Sequence, residues 1–288
     1  FGLAWFAFAL GVALAKNFTE LVPTTQVLAE RFLYLPMCGL AFCIAETFDR
    51  FTAARARTVA AGVLVVAAMA LGAATFIRAL QWKDEVVLYT ADLGKDPFSD
   101  RILRNLASTH VEAGRYAEAR AVLEPWRDRL IPEDLATLGF TQFATGDRDQ
   151  GRALVESVVK AGSASARPYV YLGAIYGLEG RYVDAEQWLQ EALRKRGDAK
   201  VRSIAYNNLG IVLRSAGDLE QAEQSFREAA QLYPLYVEPW RNLGALLWNA
   251  GEWPEAADVY ERLVTLQPGE AEWRESAEEA RRQAGRPR

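Results

Sequence analysis

The sequence predicts an all-α chain in two parts: three transmembrane helices, then a right-handed superhelix of stacked helix pairs, an α-solenoid. Three observations carry this. Charge is unevenly spread: residues 1–80 hold six Lys/Arg and four Asp/Glu, and residues 81–288 hold the remaining 27 and 33. The first part contains three apolar runs, at 1–15, 32–48 and 58–80. The second part repeats itself with a period of 34 residues.

The first run, FGLAWFAFALGVALA, is short for a span. As the visible end of a longer helix it crosses the membrane; a re-entrant or interfacial helix is the competing reading. The chain opens inside this run without an initiator Met or a basic leader. That points to the C-terminal part of a longer membrane protein rather than to a signal peptide. The run at 58–80 carries no charge before Arg78. As a helix it extends about 34 Å, enough to cross a hydrocarbon core of roughly 30 Å. The short loop at 49–57 has three Arg against one Asp, so it is expected in the cytoplasm. The loop at 16–30 then lies outside, as does everything after residue 80: periplasm in a bacterium, lumen in a eukaryote. Asn17-Phe18-Thr19 on that outer loop fits a glycosylation sequon, which matters only in a eukaryotic host.

In the second part, SIAYNNLGIVLRSAGDLEQAEQSFREAAQLYP from Ser203 superposes on the stretch ending at Pro268. Leu209-Gly210 fall on Leu243-Gly244, Gly217 on Gly251, Ala222 on Ala256, Phe226 on Tyr260 and Pro234 on Pro268. Gly serves the turn, Ala the close helix crossing, a ring the cleft, and Pro the end of the second helix. This pattern resembles the tetratricopeptide repeat (TPR). Five copies are expected over 100–269, starting near 100, 132, 166, 203 and 237. In the second copy Gly151 stands where Ala is expected, which makes it the weakest match. An insertion of about three residues within 195–202 precedes the fourth. Residues 81–99 read as the second helix of a degenerate copy, joining the last span to the array. Residues 270–288 read as a charged capping helix and tail.

The stretch Glu30-Arg31-Phe32-Leu33-Tyr34-Leu35-Pro36, with the apolar run after it and the repeats beyond the last span, resembles the transmembrane and tetratricopeptide-repeat O-mannosyltransferase family and its bacterial relatives. The resemblance covers nearly the whole chain. It implies a GT-C-type glycosyltransferase that uses a polyprenyl-phosphate-linked sugar donor and modifies protein hydroxyls outside the cytoplasm. It also implies that the catalytic carboxylate lies upstream, so no catalytic residue is assigned in this chain. Read from the residues alone, Glu30 and Arg31 sit at the outer mouth of a span. There an ionisable side chain needs a partner or a polar ligand. Arg31 either holds a lipid phosphate through two parallel hydrogen bonds, with Tyr34 assisting, or pairs with Glu30 and sets the depth of the helix.

A second candidate site lies in the array. Asn105, Asn208 and Asn242 each precede the central Leu of a first helix, on the expected inner face. Asn both donates and accepts, so it grips an extended peptide backbone in either sense. The alternative is that these Asn tie neighbouring helices together. Thr137 and Tyr171 interrupt the ladder. Trp240 reads as core, and Trp248, one place beyond the packed position, as a groove contact. The expected partner is a protein or peptide in the groove. The array is acidic, which argues against nucleic acid. Cys38 and Cys43 do not share a helix face, so no disulfide is expected, and no metal-ligand spacing is present. Two other functions stay open: a non-catalytic membrane-anchored TPR scaffold, and a ligase-type enzyme of surface polysaccharide assembly.

Overall fold

The computed structural model describes residues 84–285 apart from 95, 97 and 98, together with nine residues between Thr58 and Phe76. The chain divides into two units, residues 1–81 and 82–288. In the first unit the nine described residues are helical and exposed. Val59, Val63, Val66, Met69 and Phe76, spaced three, four or seven apart, form an apolar stripe along one helical face. Among the described residues no helix is long and apolar enough to cross a membrane. The runs at 1–15 and 32–48, the sequon at Asn17, and Glu30, Arg31 and Tyr34 lie outside the described residues.

The second unit is a stack of helices in chain order: α1 Glu85–Leu93, α2 Asp100–Glu112, α3 Tyr116–Leu123, α4 Pro132–Ala144, α5 Arg148–Lys160, α6 Arg167–Leu178, α7 Tyr182–Arg194, α8 Ala199–Ala216, α9 Leu219–Leu232, α10 Val237–Ala250, α11 Trp253–Leu266 and α12 Ala271–Ala284. Each helix packs chiefly on its sequence neighbour, and alternate helices touch more lightly. The pairs α2/α3, α4/α5, α6/α7, α8/α9 and α10/α11 are five repeats. The last two close their first helix on Gly217 and Gly251, both left-handed, which lets the chain reverse within two residues.

One rule of packing recurs in every pair. A small residue of the first helix receives a larger side chain sixteen residues on. Gly139 meets Val155, Gly173 meets Leu189, Gly210 meets the Phe226 ring and Gly244 the Tyr260 ring. Ala107 and Leu123 occupy the same offset in the first pair and share a cluster with Leu138. Phe226, Leu189 and Val155 are fully buried. Each such side chain contributes about 1.5–3 kcal/mol relative to exposure. From Ala136 to Ala280 most of the buried apolar side chains form one continuous core.

Three departures from the repeat pattern shape the array. Gly151 is one. A Cβ there would lie 2.9 Å from Phe143 Cα and closer still to Gly139 O and Phe143 N. Helices α4 and α5 therefore cross more tightly than Ala permits, and the odd residue of the weakest copy is required by its fold. The second departure is in the first pair. There α3 is only 8 residues long and gives way to a 3-10 turn, Glu124–Arg129, that begins where Pro125 enters.

The third is the insertion. Half of it is helical: α8 begins at Ala199, four residues before Ser203, and runs for 18 residues. Asp198 caps it, accepting from Val201 N at 2.8 Å. The rest pairs backbone to backbone with the loop before α6, through Ala166 N to Arg196 O (2.8 Å) and Arg196 N to Ala164 O (3.1 Å). A short parallel bridge thus joins the third and fourth repeats.

Candidate functional site

The first helices of the repeats line a cavity of about 480 Å³. Its walls come from α2, the turn into α3 with Tyr116, α4, α6, α8 and the entry to α10. The floor is aromatic. The rings of Phe140 and Tyr171 stack at 4.7 Å with planes 11° apart, and Tyr116 meets Phe140 edge-on at 5.7 Å. Val111, Val170, Ala174 and Ile204 continue the apolar wall. Burial pushes the Tyr171 hydroxyl above its usual pKa, and Arg167 and Thr137 beside it pull the other way.

Charged side chains frame the cavity. Glu112 on α2 and Lys200 on the added turn of α8 meet at 2.8 Å, although 88 residues separate them in sequence. Arg167 is largely enclosed. Its Nη1 donates to Ser108 Oγ at 2.7 Å. Its Nε stands 3.2 Å from Glu133 Oε1, an ion pair without a hydrogen bond at that nitrogen. Glu238, at the entry to α10, has one oxygen shielded from solvent that receives no hydrogen bond. The nearest cation is Arg241 Nη2 at 3.4 Å. Next to it the Tyr236 hydroxyl is pushed well above its usual pKa, first by burial and then by Glu238 and Glu112.

The expected groove residues have different fates. Asn208 lines the cavity, and among the described residues its side chain makes no hydrogen bond. Asn242 Nδ2 donates to Asn207 Oδ1 at 2.9 Å, tying α10 to α8. Asn105 interacts with the Tyr89 hydroxyl on α1. Trp248 stands edge-on to Trp253 (5.2 Å) and Tyr260 (6.0 Å), within the packing of the last pair. The residues that interrupt the Asn ladder, Thr137 and Tyr171, meet at the floor. Sequence reasoning passed over Tyr116, Phe140, Arg167, Lys200 and Glu238. The signal for Tyr171 was its place on the ladder. Lys200 carried a weaker signal, the Gly197-Asp198 pair inside the insertion, a turn and a helix cap.

The arrangement is a cavity on one face of a helical-repeat array. Family models described as tetratricopeptide repeat match residues 164–235, 205–271 and 101–125, so the array is built of tetratricopeptide repeats. Among curated proteins, Protein O-mannosyl-transferase TMTC1 of Homo sapiens is 29% identical over 177 residues, 58% of this chain and 19% of that protein. Protein O-mannosyl-transferase Tmtc1 of Drosophila melanogaster is 26% identical over 298 residues, 84% of this chain and 34% of that protein. The chain thus spans a fifth to a third of these relatives. The chloroplastic Tetratricopeptide repeat domain-containing protein PYG7 of Arabidopsis thaliana is 31% identical over 40% of this chain and 38% of its own length. In fold the chain is similar to a thermophilic TPR protein of Thermus thermophilus, with a TM-score of 0.52, 21% identity, and coverage of 63% of this chain and 98% of that one.

Proposed function

We propose that this chain is the C-terminal, substrate-recruiting part of a GT-C-like glycosyltransferase, anchored in a membrane and acting on proteins outside the cytoplasm. The TPR groove holds an extended segment of the protein substrate, with Asn208 gripping its backbone. Residues 1–80 supply spans that help hold a polyprenyl-phosphate-linked sugar, with Arg31 on the phosphate and Glu30 and Tyr34 beside it.

The observation that carries this reading is the reach of the similarity. A match covering 84% of the chain is longer than the whole second unit, which begins at Trp82, so it runs into the first unit. A generic repeat match would stop at the array. The short basic loop at 49–57 supports an extracytoplasmic array.

The test is transfer from polyprenyl-phosphate-linked mannose to a protein acceptor, using the full-length protein that contains this chain. Arg31→Ala is expected to abolish transfer with the amount of folded protein unchanged. Asn208→Ala is expected to weaken acceptor capture without lowering the melting temperature. Unchanged transfer in Arg31→Ala refutes the donor role, and unchanged capture in Asn208→Ala refutes the groove role. The second reading, a membrane-anchored scaffold without catalysis, is favoured by the relative that matches 40% of this chain and is described only by its repeats. Peptide capture without any transfer would select it.

A further inference from the structure

Most of the charges around the cavity are already engaged. Lys200 is held by Glu112, and Arg167 by Ser108 and Glu133. Each cation thus already has an acidic partner, Lys200 in an exposed pair and Arg167 in an enclosed one whose Nε makes no hydrogen bond. Asp198 is spent in part on capping α8. Glu238 also has an ion-pair partner, Arg241 at 3.4 Å, but its Oε2 is shielded from water and receives no hydrogen bond, while the side chain as a whole is 38% exposed and within reach of an incoming cation. Such an acceptor is left wanting a donor. The array as a whole is acidic, with 33 Asp/Glu against 27 Lys/Arg after residue 80. Below this rim the cavity is an apolar slot floored by the Tyr116, Phe140 and Tyr171 rings. A cavity of about 480 Å³ is within the range in which pockets enclose a ligand. A peptide backbone lying along the groove fills it only by lowering a large side chain into it.

We propose that the cavity is a specificity pocket: it takes one large apolar side chain, preferably aromatic, from an extended peptide whose adjacent residue is Lys or Arg, paired with Glu238. This rests on the peptide-holding role of the groove and adds what the groove selects. Asn208, in the same wall, reads the backbone; the rings read the side chain; Glu238 reads the charge. The residues that break the Asn ladder are then the ones that give the array its selectivity, since Tyr171 is part of the floor.

The experiment uses the full chain in detergent micelles and fluorescein-labelled twelve-residue peptides of Gly, Ser and Thr. These carry a central Lys-Phe, Lys-Ala or Glu-Phe pair, and anisotropy gives the affinity. The Lys-Phe peptide is expected to bind roughly ten- to hundredfold more tightly than Lys-Ala, the value of one fully buried ring. It is expected to bind at least about fivefold more tightly than Glu-Phe, the value of one modest ion pair. Ala174→Phe, which fills the slot, is expected to erase the Phe/Ala difference. Glu238→Gln is expected to shrink the Lys/Glu difference and keep the Phe/Ala one. Equal affinity for Lys-Phe and Lys-Ala overturns the pocket while sensitivity to Asn208→Ala keeps the groove role. Equal affinity for Lys-Phe and Glu-Phe overturns the charge rule. A Phe/Ala difference that survives in folded Ala174→Phe overturns the location. No binding of any peptide to the unaltered chain overturns the groove role as well. The peptide comparison needs no variant, so a misfolded variant does not shelter the proposal.

Discussion

Gly151→Ala is the sharpest test of the packing described above. In most helices this change stabilises, because Ala is favoured over Gly by about 1 kcal/mol in a helix interior. Here the new methyl meets backbone. It would stand 2.9 Å from Phe143 Cα and nearer to Gly139 O and Phe143 N, whereas ordinary contact begins at 3.4 Å. No rotamer relieves a backbone clash, so α4 and α5 must part by about 1 Å to bring the two nearest atoms to ordinary contact. That disturbs the neighbouring Gly139–Val155 contact as well. Overpacking of this kind costs typically 1–3 kcal/mol, and the absence of a flexible partner puts it near the top of that range. Set against the gain in propensity, the net loss is about 2 kcal/mol. For a folded unit of this size that is a fall of roughly 4–8 °C in melting temperature. The assay is thermal unfolding of the full chain followed by far-ultraviolet circular dichroism, with Gly269→Ala as the control. No atom lies within 4 Å of a Cβ at Gly269, and its φ is not left-handed, so the control is expected to be neutral. A Gly151→Ala protein as stable as wild type, or more stable, refutes the account of the second repeat.

Two further perturbations test the polar interior. Arg104 grips the buried Asp134 with two hydrogen bonds, of 2.9 and 3.2 Å. Arg104→Met strands that carboxylate and is expected to cost about 3 kcal/mol in chemical denaturation, with most of it recovered in Arg104→Met/Asp134→Leu. No recovery in the double variant would show that the pair is not what matters. His110 is buried, and its Nδ1 accepts from Arg115 Nε at 3.1 Å, which requires a neutral ring. Burial, then Arg115, holds its pKa below the usual histidine value. The unfolded chain therefore takes up the proton first. Stability is full above pH about 6.5 and falls below it, by at most about 1.4 kcal/mol per pH unit for one site, until the folded pKa is passed. His110→Gln is expected to flatten that part of the profile; an unchanged slope between pH 6.5 and 5.5 rules the histidine out as its source.

The repeat was the most legible part of the sequence because its signal is redundant. Leu209-Gly210 and Leu243-Gly244, with their glycine turns and ring partners, state one packing rule twice. The same redundancy hid what was specific to this chain. Gly151 looked like a lapse because the period alone does not report how closely two helices cross. The added turn of α8 lay inside an insertion, where no second copy exists to compare, and so Lys200 went unseen. The Asn ladder put Asn208 on the face that carries the cavity. It did not reveal that two of its members bond within the array, because a side chain's partner is set by the superhelix and not by its own repeat. Asn208 lines the cavity and makes no hydrogen bond among the described residues, whereas Asn242 finds Asn207. Trp248 falls among Trp253 and Tyr260, an end cluster whose members lie five and twelve residues away in sequence.

The contact between Glu112 and Lys200 gives the array a mechanical property that an open stack lacks. A linear solenoid couples each repeat only to its neighbours and stretches like an uncoiled spring. An ion pair between the first and fourth repeats adds a chord across the coil. Both partners are about 40% exposed, at 42% and 43%, so the chord is a soft one, worth at most about 1 kcal/mol and weakened by salt. A tie of that strength biases the curvature at rest and yields to modest tension. Because the chord runs past the same cavity, the pitch of the coil and the width of the slot change together. A pull on the array would then be felt as a change in what the pocket admits.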